Sequence, residues 1–201
     1  MGGTLTTSEA IGLAALAEFT AFGYRRTSIE SIARRADVSR ATVYAHWSSK
    51  EELFRALVSR LHEDHLAQMQ AVADDPDLDI ETRITKLLRA RFLQFVELTS
   101  GSPYAAELYD RHGTLCGEIA RTANERAEKI LATALKRAVK NGEIDLAASG
   151  LTVAQLAGVL TDCAHGAKGE DPAAASPADF TTRLANSVRV IITGVGTAPS
   201  R

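Results

Sequence analysis

The sequence predicts an all-α protein of about nine helices, with an N-terminal helix-turn-helix domain of three helices and a larger C-terminal helical domain. Hydrophobic residues make up 45% of the 201 residues, enough for a sizeable core, whereas aromatic residues make up only 5%. Apolar residues recur at the spacing of one helical face, and caps or glycine and proline breaks separate these segments. We place the domains at residues 1–50 and 51–201, with predicted helix 4 connecting them from about residue 49.

Predicted helices 1 and 4 have clear ends in the sequence. Helix 1 begins at Thr6, where Glu9 completes a capping box, and it ends before Gly23. Residues 1–5 precede it as an arm without lysine or arginine. Helix 4 continues to Val72, so its roughly 24 residues extend about 36 Å. That length allows it to leave one domain and enter the next.

Residues 27–50 predict two short helices joined by a tight turn, followed by the start of helix 4. Thr27, with Glu30 three residues later, forms a capping box for the first short helix. Asp37 lies in the turn, where it can adopt the left-handed backbone that such a turn requires. Ser39 is the N-cap of the second short helix.

The outer face of the second short helix carries residue types suited to DNA. Arg40 and Thr42 lie at its start, where a recognition helix presents side chains to base edges, and Ala41 can touch a thymine methyl. Residues 24–50 hold six basic and two acidic residues, whereas the whole chain has a net charge of −2. Such a local basic patch indicates a nucleic-acid-binding surface. We predict DNA contacts, to bases or phosphates, from Thr27, Ser28, Ser39, Arg40, Ala41, Thr42, Tyr44, His46 and Lys50.

The stretch FGYRRTSIESIARRADVSRATVYAHWSSKEELFRALV resembles the N-terminal DNA-binding domain of the TetR/AcrR family of transcriptional regulators. The resemblance lies in aromatic-Gly-Tyr, then T-S-I-x-x-I-A, then A-x-V-S-x-x-T-x-Y-x-H-aromatic, then S-K-E-x-L. Asp37 and Ala41 stand where the family commonly has glycine, and Trp47 where it commonly has phenylalanine. The resemblance implies a ligand-responsive regulator, a repressor released from a palindromic double-stranded DNA operator by a small apolar effector.

Predicted helices 5 to 7 hold the candidate effector site. Asp79 caps helix 5, Ser102 followed by Pro103 starts a short helix 6, and Gly113 separates helix 6 from helix 7. The resemblance implies that these helices surround an inducer pocket, although an aromatic stripe is more often plain core. The candidate ligand-binding residues are Phe92, Phe95, Tyr104, Tyr109, His112 and Cys116.

Predicted helices 8 and 9 have apolar stripes and small residues that permit close pairing. Thr152 with Gln155 caps helix 8, and Ser176 with Pro177 opens helix 9. The resemblance implies that both helices form the interface of a homodimer. Both stripes could instead pack inside one subunit, but a helix-turn-helix that reads a palindrome needs a two-fold partner.

No catalytic or cofactor-binding motif is found in the sequence, so we predict neither an enzyme nor a cofactor or metal site. His62 and His65 could share a helical face, but without a third ligand we interpret them as part of a solvated polar turn. Cys116 and Cys163 form no C-x-x-C pair, which fits a reducing cytoplasm. No signal peptide or membrane-length apolar run is found. The alternative functions are a small-molecule binding protein or enzyme that keeps the fold without gene control, and a regulator that activates.

Overall fold

The computed structural model describes residues 5–171, 173–174 and 176–196, and all regular structure in those residues is helical. The all-α prediction is therefore confirmed, and the predicted arm, apart from Leu5, lies outside the described residues. No described helix has the length and apolarity needed to cross a membrane. The helices are α1 (Thr7–Arg26), α2 (Ile29–Arg35), α3 (Arg40–His46), α4 (Lys50–Asp74), α5 (Ile80–Thr99), α6 (Ala105–Lys140), α7 (Val153–Ala167) and α8 (Pro177–Val195).

Predicted helices 6 and 7 are a single helix, which corrects the sequence prediction. Helix α6 runs for 36 residues straight through Gly113. A helical glycine costs about 1 kcal/mol relative to alanine, too little to interrupt a helix that packs along its length. The predicted start is also wrong, because Ser102 does not cap α6: its hydroxyl donates to the carbonyl of Thr20, 2.9 Å away.

The other predicted helix starts are confirmed, apart from a second error at the helix-turn-helix. Helix α2 is capped by Ser28, paired with Ser31, and not by Thr27 with Glu30. Thr27 lies one residue too early: it is buried, and its hydroxyl donates to the carbonyl oxygens of Glu18 and Gly23. The confirmed N-caps are Thr6, Ser39, Asp79, Thr152 and Ser176.

The core consists of two apolar clusters that share α4 and α6. The smaller cluster joins α1, α2, α3 and the start of α4, and it also takes Leu108 and Cys116 from α6. The larger cluster contains the rest of α4 and α6 together with α5, α7 and α8. Because Leu53 of α4 lies in one cluster and Met69 in the other, a movement of α4 would change the packing of both clusters.

Candidate DNA-contacting face and internal pocket

The turn between α2 and α3 orients the candidate recognition helix. Asp37 has a φ of 53°, the left-handed backbone expected from the sequence. The amide of Val38 donates to the carbonyl of Ala33 at 3.0 Å, which closes the end of α2. Ile32 and Val43 are fully buried and pack the two short helices onto α1 and α4. This packing leaves the opposite face of α3 to solvent.

The first turn of α3 is already ordered by contacts within the protein. The hydroxyl of Ser39 accepts a hydrogen bond from the amide of Thr42 at 3.0 Å and lies 2.8 Å from the Thr42 hydroxyl. Arg40 pairs with Glu30 of α2 at 2.6 Å, and both side chains are more than half exposed. An exposed pair contributes only about 0–1 kcal/mol, so Arg40 can exchange Glu30 for a base edge at little cost.

The other predicted contact residues divide into two groups. Ala41, Tyr44 and His46 are exposed on α3, and Ser28 is half-buried at the start of α2. Thr27 and Lys50 do not share that face. The ammonium of Lys50 donates to two backbone carbonyls of the α1–α2 junction, at 2.8 and 2.9 Å. Lys50 and Thr27 thus brace the junction, and burial lowers the pKa of the lysine.

The side chain of Arg34 is a further cation that the list of predicted contacts omitted. Arg34 is exposed in the last turn of α2, and no acid pairs with it among the described residues. In contrast, Arg35 forms a 2.6 Å ion pair with the buried Glu18, and Arg26 donates to the hydroxyl of Tyr104. The sequence showed the basic cluster, but only the contacts separate an available arginine such as Arg34 from Arg26 and Arg35, whose side chains are bound within the protein.

A cavity of about 120 Å³ lies between α4, α5 and α6, with Lys168 from the end of α7 at its edge. Aromatic rings form one wall: Phe95 meets Tyr109 edge to face with ring centroids 4.7 Å apart. The residues that line the cavity are His62, His65, Leu66, Met69, Arg91, Phe92, Phe95, Tyr109, His112, Ala123, Asn124, Ala127 and Lys168.

Four of the six predicted ligand-binding residues line this cavity, namely Phe92, Phe95, Tyr109 and His112. The other two lie elsewhere. Tyr104 is at the contact of α6 with α1, where its hydroxyl accepts a 2.8 Å hydrogen bond from Arg26. Cys116 is fully buried in the smaller apolar cluster. It lies one helical turn beyond His112 on the continuous α6, and so it contacts different neighbours.

The interpretation of residues 62–65 as a solvated polar turn is wrong for the two histidines. His62 and His65 lie on the inner side of α4, and His65 is buried. The Nε2 atoms of His62 and His112 are 3.2 Å apart, and Nε2 of His65 is 2.8 Å from Oε1 of Gln94. The sequence contained a signal for the burial of His65, since it shares one helical face with the apolar Leu66 and Met69. Within the described residues, no group of three metal-ligating side chains comes together.

Burial keeps the histidines of the cavity neutral. It lowers the pKa of His62 from 6.5 to about 4, with a further contribution from the neighbouring His112. Burial likewise lowers the pKa of His65, and burial and Lys168 together lower that of His112. With both rings neutral, one of the facing Nε2 atoms of His62 and His112 donates its proton to the other.

These histidines should make the stability of the protein depend on pH. A pKa that is lower in the folded state means that the unfolded chain binds more protons between pH 6.5 and about 4. The free energy of unfolding should therefore fall as the pH drops through this window. Urea denaturation at pH 7.5, 6.5 and 5.5 measures the effect, and His62→Asn should weaken the pH dependence. Equal dependence in the variant and the wild type would contradict the assignment.

Residues 11–57 match the family model described as bacterial regulatory proteins, tetR family. The chain is 24% identical over 132 residues to the uncharacterized HTH-type transcriptional regulator YhgD of Bacillus subtilis (strain 168), covering 64% of this chain and 65% of that one. It is 42% identical over 57 residues to the HTH-type transcriptional regulator TtgR of Pseudomonas putida, or 27% of each chain. These matches cover less than two thirds of either relative.

Solved structures share the fold over nearly the whole chain. A transcriptional regulator from Cytophaga hutchinsonii ATCC 33406 aligns with a TM-score of 0.75 at 17% identity, covering 94% of this chain and 98% of that one. A SmeT–triclosan complex aligns with a TM-score of 0.66 at 22% identity, covering 97% and 98%. At these identities the likeness concerns the fold alone.

Proposed function

We propose that this chain, whose residues 11–57 match the tetR family model, is a transcriptional repressor of that family that binds a palindromic operator as a homodimer. A small effector with an apolar body then releases it from the DNA. Residues 1–50 would bind the DNA and residues 51–201 would bind the effector and the second subunit. We assign no catalytic role, and we expect a protein that acts on chromosomal DNA to be cytoplasmic.

The exposed face of α3, backed by α2, is the observation that carries this proposal. Arg40 and Thr42 stand at the start of a helix whose own first turn is held by Ser39, so they are pre-positioned for base edges. Tyr44 and His46 are exposed further along the helix, and Arg34 adds a positive charge beside it. Thr27 and Lys50 contribute indirectly, by fixing the junction that carries Ser28.

We propose that α7 and α8 form the homodimer interface. The two helices pack on each other and on α5 through buried residues such as Leu160 and Leu184. Apolar residues remain on their outer faces: Val190 is 71% exposed and Val159 is 40% exposed. Gly158 has open space around it, which allows a second helix to approach closely. A two-fold axis at this end would place two copies of α3 for successive major grooves, about 34–36 Å apart.

Effector binding in the cavity would act on the DNA-contacting face through α4 and α6. The cavity of about 120 Å³ is smaller than the ~300 Å³ or more that drug-sized ligands occupy, so a larger effector must push its walls apart. Phe95 and His112 also border a second cavity of about 60 Å³, whose other wall includes Leu16 and Phe19 of α1. A ligand that displaces Phe95 or His112 would thus press toward the helix that supports α2 and α3. The ligand favours release from DNA only if it binds the displaced arrangement of these helices more tightly than the DNA-bound arrangement.

Two variants of the recognition helix test the proposed DNA contacts. Arg40→Ala should reduce the preference for the operator over altered sequences by about 1–3 kcal/mol, because it removes a base contact. Tyr44→Phe should weaken operator and unrelated DNA alike, because it removes a phosphate contact. Selection from random duplexes supplies the operator and its half-site spacing, and titration at fixed salt measures both affinities. Unchanged affinity and preference in Arg40→Ala would contradict the assignment of α3 as the recognition helix.

A further inference from the structure

The cavity contains two positive charges and no negative one. Arg91 of α5 and Lys168 at the end of α7 both line it, and no aspartate or glutamate does so in the described part of the chain. The two cations flank the same ring: the guanidinium of Arg91 is 4.9 Å and the ammonium of Lys168 is 5.1 Å from the centroid of Phe92. Both charges thus lie against an aromatic wall, and neither has a carboxylate partner in the described ranges.

Arg91 is incompletely satisfied although it is buried. Its residue is only 8% exposed, its Nη2 donates to Oδ1 of Asn124 at 3.2 Å, and its Nη1 has no hydrogen-bond partner among the described residues. The acid that acts on it most is Glu128, which is exposed on α6 and does not line the cavity. A buried guanidinium N–H without a partner is costly unless something else fills the site.

Lys168 is half-buried and also lacks a carboxylate partner among the described residues. Its ammonium donates to the hydroxyl of Tyr109 at 3.4 Å, a long hydrogen bond to a neutral group. Burial, together with the charge of Arg91, lowers the pKa of Lys168. Neither the neutral histidines nor Asn124 can balance two cations. The acids that act on the histidines do not balance these cations either, because Glu63 is bound to Arg126 and Asp64 to Arg60.

We propose that the effector is an anion, a carboxylate or a similar oxyacid on an apolar body, bound by Arg91 and Lys168. The inference rests on the proposed function, since it assigns a charge to the effector of that same cavity. The anionic group accepts from Nη1 of Arg91 and from the Lys168 ammonium. The apolar body lies against Phe92, Phe95 and Met69. The Tyr109 hydroxyl, which burial keeps protonated by raising its pKa, can donate to the same anion.

The position of the two cations also suggests how the anion would act. Arg91 belongs to α5 and Lys168 follows α7, a helix of the proposed dimer interface, whereas the opposite wall is α4 and α6. An anion held by these two cations, with its apolar body against Met69 of α4 and its oxygens within reach of Tyr109 of α6, would therefore connect α5 and α7 to the two helices that reach the half with the candidate DNA-contacting face.

Three probes with the same ring and different charge test the inference, namely 2-naphthoate, 2-naphthamide and 2-naphthylmethylammonium. Calorimetric titration into the full chain at pH 7.5 measures their binding, and displacement from the selected operator measures their effect. We expect the carboxylate to bind at least about tenfold more tightly than the amide, as for hydrogen bonds to a charged group. The ammonium probe should bind most weakly.

Variants without each cation supply the decisive comparison. Lys168→Met and Arg91→Met should bring the carboxylate-to-amide ratio down to about one, while Lys136→Met, which removes an exposed lysine of α6 with the same change in net charge, should leave it unaltered. Without ligand, Lys168→Met should raise the Tm, because it removes a half-buried and poorly compensated charge. If Arg91→Met does not fold, Lys168→Met alone decides.

The outcomes distinguish the inference from the proposed function beneath it. If the amide binds as tightly as the carboxylate and both displace the operator, the proposed function stands and the anionic effector is wrong. If the ammonium probe binds most tightly, the charge assignment is likewise overturned. If the operator is bound but no probe binds even at millimolar concentration, both the cavity as effector site and the anion are rejected.

Discussion

Val190→Glu should convert the protein from a dimer to a monomer and reduce its operator affinity by at least about 100-fold. Val190 is the most exposed large apolar side chain on α8, at 71%. In a two-fold interface its copy comes from the same patch of the partner, so the variant buries two like charges without counterions. A monomer binds only one half-site, and the affinity gained by joining two half-sites is lost.

Sedimentation velocity and operator titration measure the two effects of Val190→Glu. Val139→Glu is a matched control, because Val139 is also an exposed valine but lies on α6, outside the proposed interface. The control should remain dimeric and bind the operator normally. If both Val190→Glu and Val159→Glu remain dimers, the interface lies on another surface and the proposal for α7 and α8 is wrong.

Gly23→Ala should destabilise the protein by about 2–4 kcal/mol, the largest effect we expect from adding a single methyl group. Gly23 has φ 77° and ψ 168°, a backbone conformation that residues other than glycine rarely adopt. An added Cβ would also lie 2.6 Å from Oε2 of Glu107 and 3.0 Å from the ring of Tyr104. Glu107 would have to move, although its other oxygen accepts a 2.7 Å hydrogen bond from the amide of Arg25.

The same contacts connect the half proposed to bind the effector to the half with the candidate DNA-contacting face. Besides Glu107, Ser102 donates to the carbonyl of Thr20, and Tyr104 accepts from Arg26, so the start of α6 is fastened to the end of α1. We therefore expect Gly23→Ala to weaken the effect of a ligand on operator affinity as well as the stability.

Gly113→Ala provides the control for Gly23→Ala. Gly113 lies inside α6 with open space around its Cβ position, so alanine should stabilise the helix by about 0.5–1 kcal/mol. Urea denaturation with a common m-value compares the two variants. Similar small changes in both would mean that the α1–α6 contact around Gly23 is not as tight as described.

Local signals in the sequence determined the helical fold and the helix-turn-helix. Caps at Thr6, Ser39, Asp79, Thr152 and Ser176 act on amides three residues away, and apolar periodicity acts over one or two turns, so both can be read from neighbouring residues. The errors at Thr27 and Gly113 come from the same source. A local signal cannot show which of two adjacent hydroxyls caps a helix, or whether tertiary packing carries a helix through a glycine.

Only the tertiary structure decided which charged and polar side chains line the pocket. His62 and His112 are 50 positions apart in the chain, yet their Nε2 atoms lie 3.2 Å apart in the wall of the cavity, and Lys168 reaches the cavity from a third part of the sequence. Burial, which depends on packing between distant helices, keeps the histidines neutral, and no acid among the described residues that line the cavity faces Arg91 or Lys168. The resemblance in the sequence thus implied an apolar effector, whereas the arrangement of charges in the folded chain is the basis for proposing an anionic group on that apolar body.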